Sequence, residues 1–260
     1  MAPDWLTVIA WTYLSVCFAC AAAIGYDIAV NGRRQPMGVM NAVYPITALY
    51  LGPFALAFYW RWARAARQAT TTARTSMKRA SQSQLALVAA DAASGWPAAA
   101  NGSAEPAEPG KPRWVSMAIE VSHCGSGCSL GDVISEFAIF WLGLSIAGAT
   151  LWAEYIGDYI LALAFGIAFQ YFAIAPMRGL GIKDGLKAAT KADFISLSAF
   201  EIGLFGWMAI MTFVLFPAPH LLTPSSAAFW FLMQIGMIIG FSTSWPANVW
   251  LVNRGIKVPM

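Results

Sequence analysis

The chain has 260 residues, 58% of them hydrophobic and only 11% charged, with 12 Trp, 16 Phe and a net charge of +3. That composition excludes an ordinary soluble domain and makes a bilayer the expected solvent. Neither GxGxxG nor GxxxxGK occurs, and no basic–aromatic surface for nucleic acid is evident, so a nucleotide-driven pump and a nucleic-acid partner are both excluded from the reading.

Crossing about 30 Å of hydrocarbon takes about 20 apolar residues in a helix. The first such run is 5–30; no basic residue precedes it and it is long for a signal-peptide core, so it reads as a retained span. The second is 38–60. Residues 61–79 then form a basic stretch without an acid, fitting a topology anchor or a helix on anionic headgroups. From about 91 to 112 the chain turns to Ala, Pro, Gly and Ser, a flexible linker. Four further runs follow at 130–152, 155–175, 194–216 and 227–251, none with the alternation of a barrel strand. The expected fold is therefore all-α and polytopic with six transmembrane helices. Residues 1–60 make a two-helix hairpin, 61–112 a basic segment and linker, and 113–260 a four-helix domain.

Fourteen of the sixteen Lys and Arg residues fall in 61–113, 177–193 and the end of the chain. The positive-inside rule makes those segments cytoplasmic, with both termini inside. Arg33 and Arg34 sit on the wrong side of this assignment.

The C-terminal unit reads as a tandem pair of helix hairpins related by a parallel repeat. GDVIS at 131–135 opens one half and ADFIS at 192–196 the other, so Asp132 matches Asp193 and Ser135 matches Ser196. Gly166 precedes Pro176 as Gly236 precedes Pro246. An axis along the membrane normal would relate the halves.

HCGSGC at 123–128 lies just ahead of the third run. His123, Cys124 and Cys128, with Asp132, form a soft or borderline ligand set suited to copper or zinc, and a helix N-terminus there would favour thiolates. A glycine-rich turn with small packed cysteines is the alternative. Acids inside a span are costly unless neutral, paired or facing water, so Glu136, Asp193 and Glu201 are candidates for ion or proton coupling. Gln170 at middle depth would pair with Glu201, and Ser196 would hydrogen-bond between helices. Met208, Met211, Met233 and Met237 with His220 would form an outer Cu(I) relay, or fill the core as methionines commonly do.

The runs HCGSGCSLGDVISE, KADFISLSAFE and WPANVWLVNRGIK together resemble a family of bacterial membrane proteins catalogued as a domain of unknown function. The matching positions are His123, Cys124, Gly127, Cys128, Gly131, Asp132, Asp193, Ser196, Glu201, Pro246, Asn248, Trp250, Leu251, Arg254 and Gly255, and they cover about 113–260. The resemblance implies a four-helix unit of the bacterial inner membrane concerned with metals. The leading expectation is a transporter or acceptor for a soft ion, copper first. A structural subunit or assembly factor and a membrane-embedded oxidoreductase are the alternatives, with the bilayer, membrane proteins or further copies of the chain as partners.

Overall fold

The computed structural model describes residues 2–65, 112–178, 182–254 and 257. Among them are seven α-helices and no strand. The expected headgroup helix beyond residue 65 and the linker lie outside the described residues. Four helical segments are long and apolar enough to cross a membrane: Asp4–Ala29, Thr150–Phe172, Asp193–Leu215 and Ala227–Asn253.

Helix α1 (Asp4–Ala29) is the first of these. The expected second span, by contrast, folds back on itself. Helix α2 (Met40–Leu51) stops at Gly52, which takes φ +51° and ψ −123°, and α3 (Pro53–Phe58) starts at the next residue and continues as a π turn, Tyr59–Ala63. Glycine accepts the positive φ, and proline suits the first position of a helix but not its interior. The reversal brings the Tyr44 and Tyr59 rings to 5.5 Å. It also returns the chain to the end of α1: Arg64 pairs with Asp27 at 2.7 Å, and Arg33 donates to the Ala65 carbonyl at 3.0 Å. Twelve residues of α2 rise about 18 Å, roughly half the hydrocarbon. The 38–60 run is thus a helical hairpin whose tip, Gly52, is buried against Cys17 of α1, while Phe54 and Trp60 on its return limb face outward. Hydropathy alone does not separate such a hairpin from a span.

Helix α4 (Arg113–Leu142) starts well before the expected 130 and ends before 152, where Gly143 at φ +63° caps it. Helices α5 (Thr150–Arg178), α6 (Ile182–Ile210, extended by a π turn Met211–Leu215) and α7 (Ala227–Asn253) complete an up-down bundle. The Ser226 hydroxyl caps α7 by accepting from the Phe229 amide. Small residues let the backbones meet: a Cβ on Gly127 would lie 2.8 Å from Gly166 Cα, one on Gly131 would lie 2.4 Å from the Ala162 nitrogen, and one on Gly203 would lie 3.0 Å from Gly240 Cα. Those pairs fix α4 antiparallel to α5 and α6 antiparallel to α7.

Every residue of α4 from Val115 to Ser129 is buried. The hairpin covers it on one side, with the Thr47 and Ser126 hydroxyls 3.1 Å apart, while α5, α6 and α7 close the rest. A helix shielded by protein needs no apolar surface, which explains why it carries so many charges.

Basic residues collect at one end of this bundle. Arg113 donates to the Asn253 carboxamide, Trp114 packs on Trp62 at 5.6 Å, and Arg33 and Arg64 flank Asp27. Because the hairpin re-emerges where it entered, Arg33 and Arg34 lie at the same end as Arg61 and Arg64, and their exceptional placement disappears. Tyr13 packs on Phe231 while Asp27 pairs with Arg64, so the start of α1 lies near the start of α7.

Candidate functional site: a buried ladder on α4

Glu120, Cys124, Cys128, Asp132 and Glu136 recur at every fourth position of α4, and all five are buried. At 100° per residue a four-residue step winds slowly around the helix, so the ladder climbs about 24 Å while turning less than half a circle. It faces α6 at one end and α5 at the other.

At the basic end, Lys257 reaches in from the segment after α7 and is almost fully buried. Its Nζ lies 2.8 Å from Glu120 Oε1 and 3.2 Å from Asp193 Oδ1, and donates to Ser196 Oγ at 3.3 Å and Asn248 Oδ1 at 3.0 Å. Burial alone would lower the lysine pKa; Glu120 and Asp193 overcome it and hold the ammonium well above the ordinary lysine range. One turn deeper, Cys124 Sγ lies 3.3 Å from Ser196 Oγ, whose hydroxyl is also 3.1 Å from Asp193 Oδ1.

At the centre the thiols of Cys124 and Cys128 neighbour each other, and Glu201 neighbours Cys128. The tip of the re-entrant hairpin ends here: Tyr50 is fully buried, its hydroxyl beside Gly125, and Tyr13 donates to the Tyr50 carbonyl at 2.8 Å. Beyond the thiols, Asp132 has Glu201, Asp158 and Glu136 for neighbours, and Glu136 has Asp158 and the half-buried Glu154. Neither oxygen of Asp132, Glu136, Asp158 or Glu201 has a hydrogen-bond partner among the described residues. Lys257 is buried, whereas Arg61, Arg64 and Arg113 are exposed.

HCGSGC therefore lies inside a helix and not at its mouth. Its first residue is ten positions past Arg113, and the N-terminal dipole effect fades within the first turn, so that reason for thiolate character does not apply. Cys124 and Cys128 share a face; His123 is turned about 100° away toward Phe169, its ring centroid 6.3 Å from the phenyl ring, and neither nitrogen has a hydrogen-bond partner among the described residues. Asp132 belongs with the acids one turn on. Among the described residues no three His, Cys, Asp or Glu side chains are close enough together to hold a metal ion.

Tyr159 meets Ser198 at 3.0 Å and Tyr155 donates to the Phe205 carbonyl, so Glu201 stands level with Asp158. Gln170, twelve residues further along α5, is about 18 Å away along the helix axis and is not its partner. Asp132 and Asp193 are not at matching depths either. Glu120 shares Lys257 with Asp193, and Cys124 touches Ser196, so α4 and α6 run parallel with Asp132 roughly three turns deeper than Asp193. That register does not follow the GDVIS and ADFIS alignment. Met208, Met211, Met233 and Met237 are buried together with Phe229, while His220 lies on the exposed 217–226 loop, so they do not converge on one site. Glu120, Asp158 and Lys257 join the site without having been singled out in the sequence; for Glu120 the unbroken four-residue spacing from 120 to 136 was the available signal.

These features define a helical bundle with four helical segments long and apolar enough to cross a membrane, and with a central helix lined by titratable side chains. Residues 113–257, which contain α4 to α7, every ladder residue and Lys257, match the family described as Domain of unknown function (DUF4396), and the chain belongs to that family. Helices α1 to α3 lie outside the match. Comparison with curated proteins and with solved structures gives no match.

Proposed function

We propose that this protein is a proton-coupled membrane transporter for a soft metal cation, with the α4 ladder as its pathway. The observation that carries the reading is the run of five buried titratable side chains at four-residue spacing on one helix, facing Asp158, Asp193 and Glu201 on its neighbours. Asp132, Glu136, Asp158 and Glu201 have no hydrogen-bond partner among the described residues, and such a carboxyl is stable in a membrane interior when it holds a proton or a bound cation. Proton release from one and cation uptake by another is the exchange such a row performs.

Cys124 and Cys128, side by side at mid-depth, supply the soft step, since a pair of thiolates selects Cu(I) or Zn(II) over hard ions. The cation is cargo in this reading. Tyr50, held against the thiols by the re-entrant tip, is placed to sense occupancy, as broken helices do at the midplane of transporters. The bacterial inner membrane is the proposed location. Its cytoplasmic side is the end bearing Arg33, Arg64, Arg113 and Lys257, following the positive-inside bias. Exposed apolar residues of α1, Trp5, Trp11 and Phe18 among them, face lipid or another membrane protein.

Purified protein in liposomes loaded with a pH indicator tests the reading. An imposed gradient of Cu(I) or Zn(II) should drive proton movement, and Asp132→Asn with Glu201→Gln should reduce it at least tenfold. Cys124→Ser with Cys128→Ser should remove the metal dependence. Intact, folded protein that moves neither protons nor metal would favour a structural or assembly role instead.

A further inference from the structure

Helices α4 and α5 cross in one continuous register. Gly127 meets Gly166, Gly131 meets Leu161 and Ala162, and Gly157 meets the side chains of Ser135 and Ile139. That register sets Glu136 level with Asp158, and Ile139 level with Glu154. Glu154 and Asp158 are four residues apart and share a face of α5, as Asp132 and Glu136 share a face of α4. Glu136 accordingly has both Asp158 and Glu154 for neighbours, while Glu201 of α6 stands beside Asp132 and Asp158.

Burial is graded along this row. Asp132, Glu136, Asp158 and Glu201 are buried, Glu154 is half-buried, and the loop beyond it, residues 143–148, is exposed. At 1.5 Å per residue Glu154 lies about 6 Å in from the start of α5 and Asp158 about 12 Å in. Glu154 thus stands between water and the Glu136–Asp158 pair, at the end of the bundle opposite Lys257.

The pair has nothing to hold its charge. Lys, Arg and His are absent from residues 129–177, 194–219 and 221–253, the stretches of α4 to α7 that surround it. The Ser135 hydroxyl, buried against Gly157 beside the pair, has no hydrogen-bond partner among the described residues, and neither have the carboxyl oxygens. Tyr155 and Tyr159 turn to α6 instead, onto the Phe205 carbonyl and Ser198. Two adjoining buried carboxyls without a counter-charge do not both ionise, so the pair retains a proton.

We infer that Glu154 is the proton port of the ladder: it takes protons from water at the end opposite Lys257 and passes them to Glu136 and Asp158. At each step one O–H bond breaks and another forms, and the negative charge moves one carboxyl outward. The inference rests on the proton-coupled reading for its purpose, but the exchange itself is measurable without metal.

Full-length protein in detergent, free of metal, is moved from H2O to D2O while the carboxyl C=O stretch is followed by infrared spectroscopy. The wild type should show a protonated-carboxyl band, diminished in a Glu136→Gln, Asp158→Asn variant, that shifts on deuteration. Glu154→Gln should slow that shift several-fold, and Glu154→Asp should restore most of the rate. Equal rates in wild type and Glu154→Gln, or a wild type without the band, overturn the inference. If Glu154→Gln does not fold, wild type treated with a water-soluble carbodiimide and glycine ethyl ester decides. Glu154 should be modified before Glu136 and Asp158 and exchange should then slow; undiminished exchange refutes the port. Slowed exchange in Glu154→Gln together with no metal-driven proton movement in liposomes would sink the metal reading and leave the port standing.

Discussion

The rings of Tyr44 and Tyr59 lie 5.5 Å apart although fifteen residues separate them, because the chain reverses at Gly52 between them. The hairpin they close enters and leaves at one end of the bundle. Single cysteines placed at Gln35 and at Ala65, in a cysteine-free background, should therefore react with an impermeant thiol reagent from the same side of the membrane. A cysteine at Asp4 should react from the other side. Labelling of positions 35 and 65 from opposite sides would restore a crossing helix over 38–60.

Gly52 is the pivot of that reversal. At φ +51° a side chain is strained by about 1–2 kcal/mol, and a Cβ there would lie 3.0 Å from Cys17 Sγ on α1. Gly52→Val should therefore lower Tm by several degrees. It should also increase labelling of Cys17 and Cys20, which are buried in the native protein, as the hairpin tip pulls away.

Where α4 crosses α5, Gly131 leaves no space for a methyl group, since its Cβ would approach the Ala162 nitrogen to 2.4 Å and the Leu161 carbonyl carbon to 2.6 Å. These are backbone atoms and cannot rotate aside, so Gly131→Ala should force the helices apart and destabilise by about 1–3 kcal/mol or more. Gly206, on α6 with nothing within 4 Å of its Cβ position, is the control. There alanine should be neutral or stabilising by up to about 1 kcal/mol in a thermal melt. Equal losses at both positions would mean that the α4–α5 crossing is looser than described.

Cys124 and Cys128 have no exposed surface. Native protein in detergent should leave both unmodified by maleimide over times that fully label them after unfolding in sodium dodecyl sulfate. Rapid native labelling would place HCGSGC back at an accessible helix mouth.

Legibility in the sequence followed what each signal physically reports. Apolar runs found α1, α5, α6 and α7 because those helices carry exposed apolar faces, and the acids at 132, 136, 193 and 201 stood out against them. The same scan missed the first half of α4, since a stretch buried from Val115 to Ser129 loses the requirement for an apolar surface, and the glycines of HCGSGC suggested a turn. Those glycines are there because Gly125 meets Tyr50 and Phe200, while Gly127 meets Gly166. Gly52 followed by Pro53 at the middle of an apolar run was a visible sign of the hairpin. Lys257 had no local signal: a lysine after a terminal helix ordinarily marks topology, and only the tertiary fold carries it to Glu120.

Replacing Lys257 tests how much that buried ion pair contributes. Lys257→Met leaves the carboxylates of Glu120 and Asp193 enclosed without a counter-charge, and breaking such a pair from one side costs about 3–5 kcal/mol. Adding Asp193→Asn should recover part of the loss, so the double variant should melt above the single one. The pH dependence follows from a folded-state pKa raised above the unfolded value. The lysine's contribution is fully present below its unfolded pKa of about 10.4 and is lost only as pH rises through the higher folded value. Over the alkaline range below about pH 10 that contribution is constant, while the uncompensated carboxyls of Lys257→Met lose any proton they hold, so the Tm difference from wild type should hold or widen and not shrink. A difference that shrinks between about pH 7 and pH 9 would show that the ammonium is not held by the two carboxylates as the geometry requires.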